Sequence, residues 1–367
     1  MAKYSQCKNF SFVGYMNFKE ENLIKDKQGS TWRKLSFGLV NEDGSNSQYV
    51  EVSEFGAGSS FRVKTLTEDG KFEDMEVNWS ERNNKEVLDD VASFNKKYVL
   101  GEVVLHNHDL IEQVLKGIRD GKLKSCKFED GKPTGGTKVS VQGQVKLNYY
   151  NGSFNQVYEF SRLSVVKEDE PCRFNGELSL VFTKGAVKDD KKNNRVIVKG
   201  YVYDYIKQAG KERGEMKLLP QTLIVQRRGL GEKIADYLIE NMVADKGQFK
   251  AMRFDTQFVK GVDNVEPEFI KPTKEQEVLI ELGLLTLDDI QEKAVGKKIV
   301  ETRIDKLYAK RDYKKIVIDT PFKQKDVFVE EDEEESVYED SIFNTSDDDD
   351  ETDEVPFDIN DIDLPFW

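Results

Sequence analysis

The sequence predicts a mainly β protein with helices, an α+β fold in which two small β-barrels precede a short helical segment and a disordered acidic C-terminal tail. Three observations lead to this prediction. Alternation of apolar and polar residues dominates the chain up to residue 263, turn-forming residues separate the alternating runs, and helical spacing is confined to a few stretches. With 367 residues, the chain is long enough for two or three domains.

Residues 1–168 contain several candidate strands. In TWRKLSFGLVN, Leu35, Phe37 and Leu39 share one face, as alternation in a half-buried strand requires. The runs FRVKTL and KFEDMEV flank an Asp-Gly turn and predict an inserted hairpin, and KEVLDDVASFNKK and DLIEQVLKGIRDG have helical spacing. Two long strands then flank an Asn-Gly turn. This order of strands, helix and closing hairpin predicts an OB-like domain, a five-stranded Greek-key barrel.

Residues 171–263 follow the same order of elements. Three alternating runs, RFNGELSLVF, NRVIVKGYVYDYIK and MKLLPQTLIVQRR, precede a helical stretch, GLGEKIADYLIENMVA, and a last strand, GQFKAMRFDTQFVKGV. Because three strands, a helix and a strand again make an OB-like order, the sequence predicts a second OB-like domain.

Residues 264–320 have a helical pattern instead. Thr273 and Gln276 have the spacing of a capping box, and the end of the segment is rich in Lys and Arg. We therefore expect a basic helical segment here. In residues 321–367 the periodicity is lost and acids dominate, which predicts a disordered tail.

Charge is divided unevenly along the chain. The formal net charge is −14, from 69 acidic and 55 basic residues. Residues 330–367 hold 18 of the acids and no Lys or Arg, so the residues before them carry 51 acids against 55 bases, a net charge of +4. A mildly basic body with an acidic tail suggests a polyanionic partner, and it is equally compatible with a tail that only promotes solubility.

The stretch RVIVKGYVYDYIK carries the strongest internal binding signal. Val196, Val198 and Val202 alternate on one side and predict a core face. The opposite side carries three tyrosines among cations: Arg195, Lys199, Tyr201, Tyr203, Tyr205 and Lys207. Aromatic rings that stack on bases, beside Lys or Arg that neutralise phosphates, are how proteins hold single-stranded nucleic acid. The alternative is a ladder of strand-forming tyrosines that packs under a neighbouring element.

The first predicted domain offers further aromatic and basic residues as candidates for nucleic-acid contact. These are Trp32, Lys34, Trp79, Arg82, Lys146, Tyr150 and Phe154. Phe154 lies near a hairpin tip, where an aromatic ring is poorly buried and available for stacking. Each residue alone is compatible with a core or edge position, but their recurrence beside cations in both domains favours binding.

Signals for catalysis, cofactors and metals are weak. The stretch KPTGGTK lacks the spacing of a phosphate-binding loop, and no Ser/His/Asp or Cys/His arrangement is apparent. His106 and His108 have no further His or Cys nearby, which favours a solvated turn over a metal site, and the three cysteines fit no zinc spacing. We therefore expect no enzyme activity, no cofactor and no bound metal.

The last residues, DIDLPFW, close the acidic run with apolar and aromatic side chains. This ending resembles the C-terminal tip of bacterial and phage single-stranded DNA-binding proteins, an acidic stretch that ends in Asp-Ile-Pro-Phe or a close variant. The matching residues are Asp361, Asp363, Leu364, Pro365 and Phe366. Trp367 departs from the pattern, because the family usually carries the terminal carboxylate on the phenylalanine. The resemblance implies that this tip, with Trp367, binds replication and recombination enzymes, its acids pairing with a basic rim.

Together these patterns predict a non-enzymatic, cytoplasmic protein of phage or bacterial origin with no membrane segment. It is expected to coat and protect single-stranded DNA during replication, repair or recombination and to recruit enzymes through its tail. The alternatives are a replication adaptor, such as a helicase-loading or clamp-associated protein, and, less favoured, a metal-dependent nuclease. Binding of oligo-dT by the tailless body separates the adaptor from this reading, and magnesium-dependent cleavage identifies a nuclease.

Overall fold

The structure is a computed structural model of the chain. It describes residues 6–26, 31–56, 58–67, 69–150, 153–206, 214–262, 273–282, 298–307 and 316–329. The side chains of a few residues within these ranges, including Tyr150, are also left undescribed. Strands dominate these ranges and helices are few, which confirms the prediction of a mainly β protein with helices.

The first part of the described chain combines long strands with short helices. Its strands are β1 (Lys8–Asn17), β2 (Ile24–Asp26), β3 (Trp32–Val40), β4 (Ser47–Phe55), β5 (Ser60–Leu66), β6 (Phe72–Asn78), β7 (Lys97–Val99), β8 (Glu102–Val104), β9 (Lys127–Glu129), β10 (Lys132–Thr134), β11 (Lys138–Tyr150) and β12 (Ser153–Val165). Its helices are α1 (Glu20–Leu23), α2 (Lys85–Asp90) and α3 (Asn107–Arg119). The predicted inserted hairpin is confirmed as the pair β5–β6.

The second part repeats the arrangement of long strands around a helix. Its strands are β13 (Arg173–Phe182), β14 (Val187–Asp190), β15 (Arg195–Ile206), β16 (Glu215–Gln226), β17 (Lys250–Val262), β18 (Lys298–Leu307) and β19 (Val317–Asp319). Its helices are α4 (Leu230–Asn241) and α5 (Lys274–Glu281).

Five strands of the first part pair in a circuit, which we call the first circuit. Its order is β1–β3–β4–β12–β11 and back to β1. Neighbours are antiparallel except for β4 and β12, which run parallel and pair only at Val50 with Tyr158 and Glu51 with Glu159. The contact between β1 and β3 covers three residue pairs at the end of β1.

Five strands of the second part pair in the same order, as the second circuit. It runs β13–β15–β16–β18–β17 and back to β13, with β16 and β18 parallel. Two of its links are single residue pairs, Val181 with Tyr201 and Ile224 with Arg303. Backbone hydrogen bonds at such short links cannot seal a cylinder, so the predicted barrels are not closed: each circuit remains open at its short links.

Glycines allow the corresponding strands to approach each other in both circuits. A Cβ on Gly14 would lie 2.9 Å from the carbonyl oxygen of Val40, where β1 meets β3. A Cβ on Gly200 would lie 2.6 Å from the carbonyl oxygen of Val181, where β15 meets β13. Any larger side chain at either position would push the two backbones apart, so these contacts require glycine.

Strand β1 joins the two circuits. One of its edges pairs with β11 and the other with β13, so the long strands form a single continuous sheet. The Phe12 ring, fully buried on β1, contacts rings from both circuits. Its centroid lies 4.9 Å from that of Tyr158 in the first circuit, and 5.4 Å from Phe174 and 5.6 Å from Phe258 in the second.

Helices α3 and α4 each bury one apolar side against the same core. The buried residues are Leu110, Ile111 and Val114 on α3, and Ile234, Ala235 and Leu238 on α4. Their spacing of three and four residues places them on one helical stripe, as the sequence pattern predicts. Among the described residues, no helix combines the length and the apolar composition required to cross a membrane.

The segment predicted to be helical is only partly so. The capping box of Thr273 and Gln276 is confirmed at the start of α5. Residues 298–307, however, form strand β18 instead of a helix, because they pair with β17 along nine residue pairs. The predicted limit of the second domain at residue 263 therefore leaves out a strand of the second circuit.

The prediction of disorder from residue 321 is wrong for residues 321–329. Val327 and Phe328 are buried against the body, and residues 317–319 pair with β17 as β19. Apolar contact with the body orders this stretch despite its lack of periodicity. Residues 330–367, including the predicted tip, lie outside the described ranges.

We predict that replacing Phe12 with Ala lowers the free energy of unfolding by about 3–5 kcal/mol, the range for emptying a large aromatic site in a core. Because rings of both circuits contact Phe12, urea unfolding followed by circular dichroism and by tryptophan fluorescence should shift in parallel. Phe94→Ala is the matched control, since that ring is 61% exposed and should contribute less than about 1.5 kcal/mol. Equal losses in the two variants would contradict a joining role for Phe12.

Candidate nucleic-acid interface

The core side of β15, the strand that carries the three tyrosines, is as predicted. Val196, Val198 and Val202 on β15 are buried in the main core. Asp204 is on the same side, where its carboxylate pairs with Lys8 at 2.5 Å and accepts a hydrogen bond from the Leu147 N–H at 3.1 Å. The opposite side of β15 therefore carries the tyrosines, at the positions that alternation requires.

The three tyrosines differ strongly in exposure. Tyr201 is only 4% exposed and packs with Leu218, Phe249 and Val327, so its ring cannot stack on a base in this structure, which corrects the prediction for that residue. Burial raises the pKa of Tyr201 to about 12. The Tyr203 ring is partly covered by Phe322, with centroids 4.8 Å apart.

Tyr205 lies beyond this cover. Its side chain is 55% exposed, and its hydroxyl accepts a hydrogen bond from the Gly214 N–H at 3.0 Å. It lies directly opposite Met216 on β16, which is also exposed. Among the three tyrosines, Tyr205 is thus the one available for stacking without rearrangement.

The cations predicted around the tyrosines are engaged or outside the described ranges. Arg195 pairs with Asp190 at 2.9 Å and with Glu301 at 3.4 Å. Lys199 is half-buried on β15. Lys207 is not among the described residues. Arg195 therefore has acidic partners that a phosphate would have to displace.

An aromatic surface lies on the outer side of β3 and β4, and we call it the β3–β4 face. Trp32 on β3 lies directly opposite Phe55 on β4, and Gly38 lies opposite Tyr49. Phe55 is 77% exposed and Tyr49 is 45% exposed. Sequence reasoning identified Trp32 but missed Tyr49 and Phe55, although their alternation with Val50 and Val52 already places them on the outer side.

Cations surround the β3–β4 face. Lys34 lies opposite Lys25 of the edge strand β2, and its Nζ pairs with Glu51 at 2.9 Å. The Nζ of Lys260 on β17 lies 5.2 Å from the centroid of the Tyr49 ring, within the range of a cation–π contact. Burial lowers the pKa of Lys260 below its ordinary value. Exposed rings and ammonium groups are thus combined on one surface.

The candidates in the β11–β12 hairpin make contacts within the protein. Lys146 is ion-paired with Glu159 on the neighbouring strand. The Phe154 ring packs against Tyr149 at 4.8 Å and against Phe328 at 5.3 Å, so it is not the free hairpin-tip ring that the sequence suggests. The Tyr150 side chain is not among those that the structure describes.

Trp79 and Arg82 form part of a packed cluster at the start of α3. The Arg82 guanidinium lies 4.1 Å from the Trp79 ring centroid, and its Nε donates to the Asp109 carboxylate at 2.8 Å. The same indole contacts the rings of His106 and His108 at 4.9 and 5.4 Å. These contacts fasten the inserted residues to α3, which gives Trp79 and Arg82 a structural role.

The sequence predicted a solvated turn for the two histidines, and the structure differs from that prediction. His106 caps α3, where its Nδ1 accepts a hydrogen bond from the His108 N–H at 3.1 Å. Burial lowers the pKa of His106. His108 lies 3.0 Å from the Arg33 guanidinium and 3.2 Å from the Glu54 carboxylate. Within the described ranges, no group of three or more His, Cys, Asp or Glu side chains has an arrangement that could hold a metal ion.

The predicted candidates thus do not converge on one surface. Trp32 and Lys34 belong to the β3–β4 face, Tyr203 and Tyr205 to the second circuit, and Trp79 to the packed cluster at α3. Of the surfaces that hold predicted candidates, the β3–β4 face combines exposed rings with cations.

We predict that Arg82→Ala destabilises the protein and leaves any oligo-dT affinity of the folded chain unchanged. The loss should be roughly 1.5–3 kcal/mol, the range for a hydrogen bond to a charged group, because Asp109 is left without its cation. Thermal unfolding and oligo-dT affinity, measured on the same preparation, report the two effects separately. An unchanged melting temperature together with reduced affinity would instead make Arg82 a ligand contact.

Neither a protein-family model nor a curated protein matches this sequence. Among solved structures, the chain is similar to a deletion mutant of the single-stranded DNA-binding protein from Thermus aquaticus. The match has 9% sequence identity, covers 71% of this chain and 89% of that chain, and has a TM-score of 0.30. A superposition this loose carries no argument about function.

Proposed function

We propose that this chain is a non-enzymatic protein that binds single-stranded DNA through two OB-like modules, the first and second circuits. The observation that carries the proposal is the β3–β4 face, where exposed Tyr49 and Phe55 lie among Lys25, Lys260 and Lys34, the last paired with Glu51, which a phosphate would have to displace. Base stacking on such rings contributes about 1–3 kcal/mol per base and tolerates any sequence.

The position of this face in the strand order supports the proposal. β3 and β4 are the second and third strands of the first circuit, and OB-folds bind oligonucleotides on the face of these two strands. Tyr49 and Phe55 are six residues apart on one strand, a separation of about 20 Å at 3.4 Å per residue. The face is therefore long enough for several nucleotides of an extended strand.

The charge distribution also supports a polyanionic ligand. The residues before position 330 have a net charge of +4, whereas residues 330–367 contribute −18. Binding that neutralises phosphates releases counterions, so affinity should fall with salt by about −0.7 in the log–log slope per phosphate contacted. An adaptor would bind oligo-dT weakly or not at all, and a nuclease would cleave it when magnesium is added.

The tail completes the proposed role. Its acidic run and its apolar end, Leu364 to Trp367, have the composition of a peptide that docks on a hydrophobic pocket with a basic rim. We propose that it recruits replication and recombination enzymes to the strand that the body coats, inside the cytoplasm of a bacterium or of a phage host.

We predict that Phe55→Ala and Tyr49→Ala each weaken oligo-dT binding by about 5–150-fold, the equivalent of about 1–3 kcal/mol of lost stacking. Fluorescence anisotropy at fixed low salt measures the change. Both side chains are exposed, so the melting temperature should remain close to that of the parent. Phe94→Ala is the matched control, because it removes an exposed ring from outside the β3–β4 face. Unchanged affinity in both variants would remove this face from the binding site.

We predict that deletion of Pro365 to Trp367 leaves oligo-dT affinity within about twofold, since all 18 acids of the tail remain. Capture of replication enzymes from host extract should be lost, because the deletion removes the aromatic anchors. A variant with Asp361 and Asp363 replaced by Asn serves as comparison, since it keeps the anchors and weakens only the charge pairing. Undiminished capture after the deletion would leave the tail a solubilising role.

A further inference from the structure

The residues just before the acidic tail cross the tyrosine side of the second circuit. We call residues 317–328 the strap. Its first residues, Val317–Asp319, pair with β17, and the Thr320 N–H donates to the carbonyl of Phe249 at 3.1 Å. The strap then continues over the outer side of β15 and β16. It thus covers the second and third strands of the second circuit, which correspond to the β3–β4 face of the first.

The strap contacts the tyrosines through apolar side chains. Ile318, Phe322 and Val327 belong to the same apolar cluster as Tyr201 and Leu218. Phe322 covers Tyr203, and Val327 forms a parallel bridge with Leu218. These contacts account for the graded exposure of the tyrosines, because Tyr205 lies beyond the last of them.

Few polar contacts hold the rest of the strap. The Phe328 N–H donates to the carbonyl of Leu218 at 3.0 Å, and the Lys217 Nζ donates to the carbonyl of Lys325 at 3.2 Å. The middle residues, Lys323 to Lys325, are exposed. A short stretch with few buried anchors and exposed hydrogen bonds opens at a lower free energy than the whole fold.

The strap ends at the first circuit. The Phe328 ring packs against Tyr149 at 5.2 Å and against Phe154 at 5.3 Å, at the tip of the β11–β12 hairpin. In sequence, the acidic residues begin directly afterwards, at Glu330. Any movement of the strap therefore also moves the residue that directly precedes the acidic run in sequence, Val329.

We propose that the strap closes a second nucleic-acid-binding surface and that single-stranded DNA displaces it, exposing Tyr203 beside Tyr205. This inference rests on the proposed function. The strap and single-stranded DNA compete for the same rings. Only molecules with an open strap can bind DNA at this surface, so its apparent affinity is reduced in proportion to the fraction of molecules that are open. DNA that reaches the second circuit must first displace Phe322 and Val327.

Hydrogen exchange on the full chain tests the displacement directly. Saturating oligo-dT should accelerate exchange of the Thr320 and Phe328 amides, whose hydrogen bonds to the body would break, and slow exchange in β3 and β4. If oligo-dT binds and slows β3–β4 while strap exchange is unchanged or slower, the strap proposal is overturned and the proposed function stands. If oligo-dT does not bind at low salt, both fall.

A released variant tests the competition. Phe322→Ala combined with Val327→Ala should bind oligo-dT about threefold or more tightly, because the closed state is weakened. Adding Tyr203→Ala should cost more affinity in this background than in the parent chain, since the ring is then uncovered. Phe94→Ala with Val300→Ala is the matched control, with the same residue types at exposed positions outside the strap. Equal affinity of the released variant, the control and the parent would overturn the proposal.

Discussion

The packing of Phe12 between rings of both circuits is the contact on which the rest of the structure depends. Its strand, β1, is a member of the first circuit and pairs along its other edge with the first strand of the second. Burial of one large ring against Tyr158, Phe174 and Phe258 therefore stabilises both halves at once. Buried side chains of both circuits belong to one apolar core.

Glycine sets how closely each circuit closes. Gly14 on the first strand of one circuit and Gly200 on the second strand of the other lie at the same kind of junction, where the first strand meets the second, and both bring backbones nearer than a side chain would permit. The closing pairs are nevertheless few, which leaves each circuit an open, curved sheet. In such a sheet the second and third strands have an outer face that is not part of a closed barrel.

Periodicity predicted what depends on a single strand. The alternation around Val196 and Val198 correctly assigned the core side of β15, and the order of elements anticipated the strands of the first circuit and, in the second, all but β18. It could not reveal the burial of Tyr201, because Val327, which covers it, lies 126 residues further along the chain. Strand β18 was predicted as part of a helical segment, and pairing with β17 along nine residue pairs overrode that local pattern.

The β3–β4 face and the corresponding face of β15 and β16 differ in the side chains that their third strands, β4 and β16, direct outward. On β16 the outward residue Leu218 is buried beneath Val327 of the strap, and an apolar side chain at this place gains by being covered. On β4 the outward residues between the rings are Glu51 and Ser53, polar side chains that are half-buried and do not call for an apolar cover. The same strand order thus gives one open face and one face that the strap covers. A few side chains of the third strand determine which face is covered. A ligand that replaces the cover must offer apolar contact of its own, and the flat faces of unpaired bases have that property.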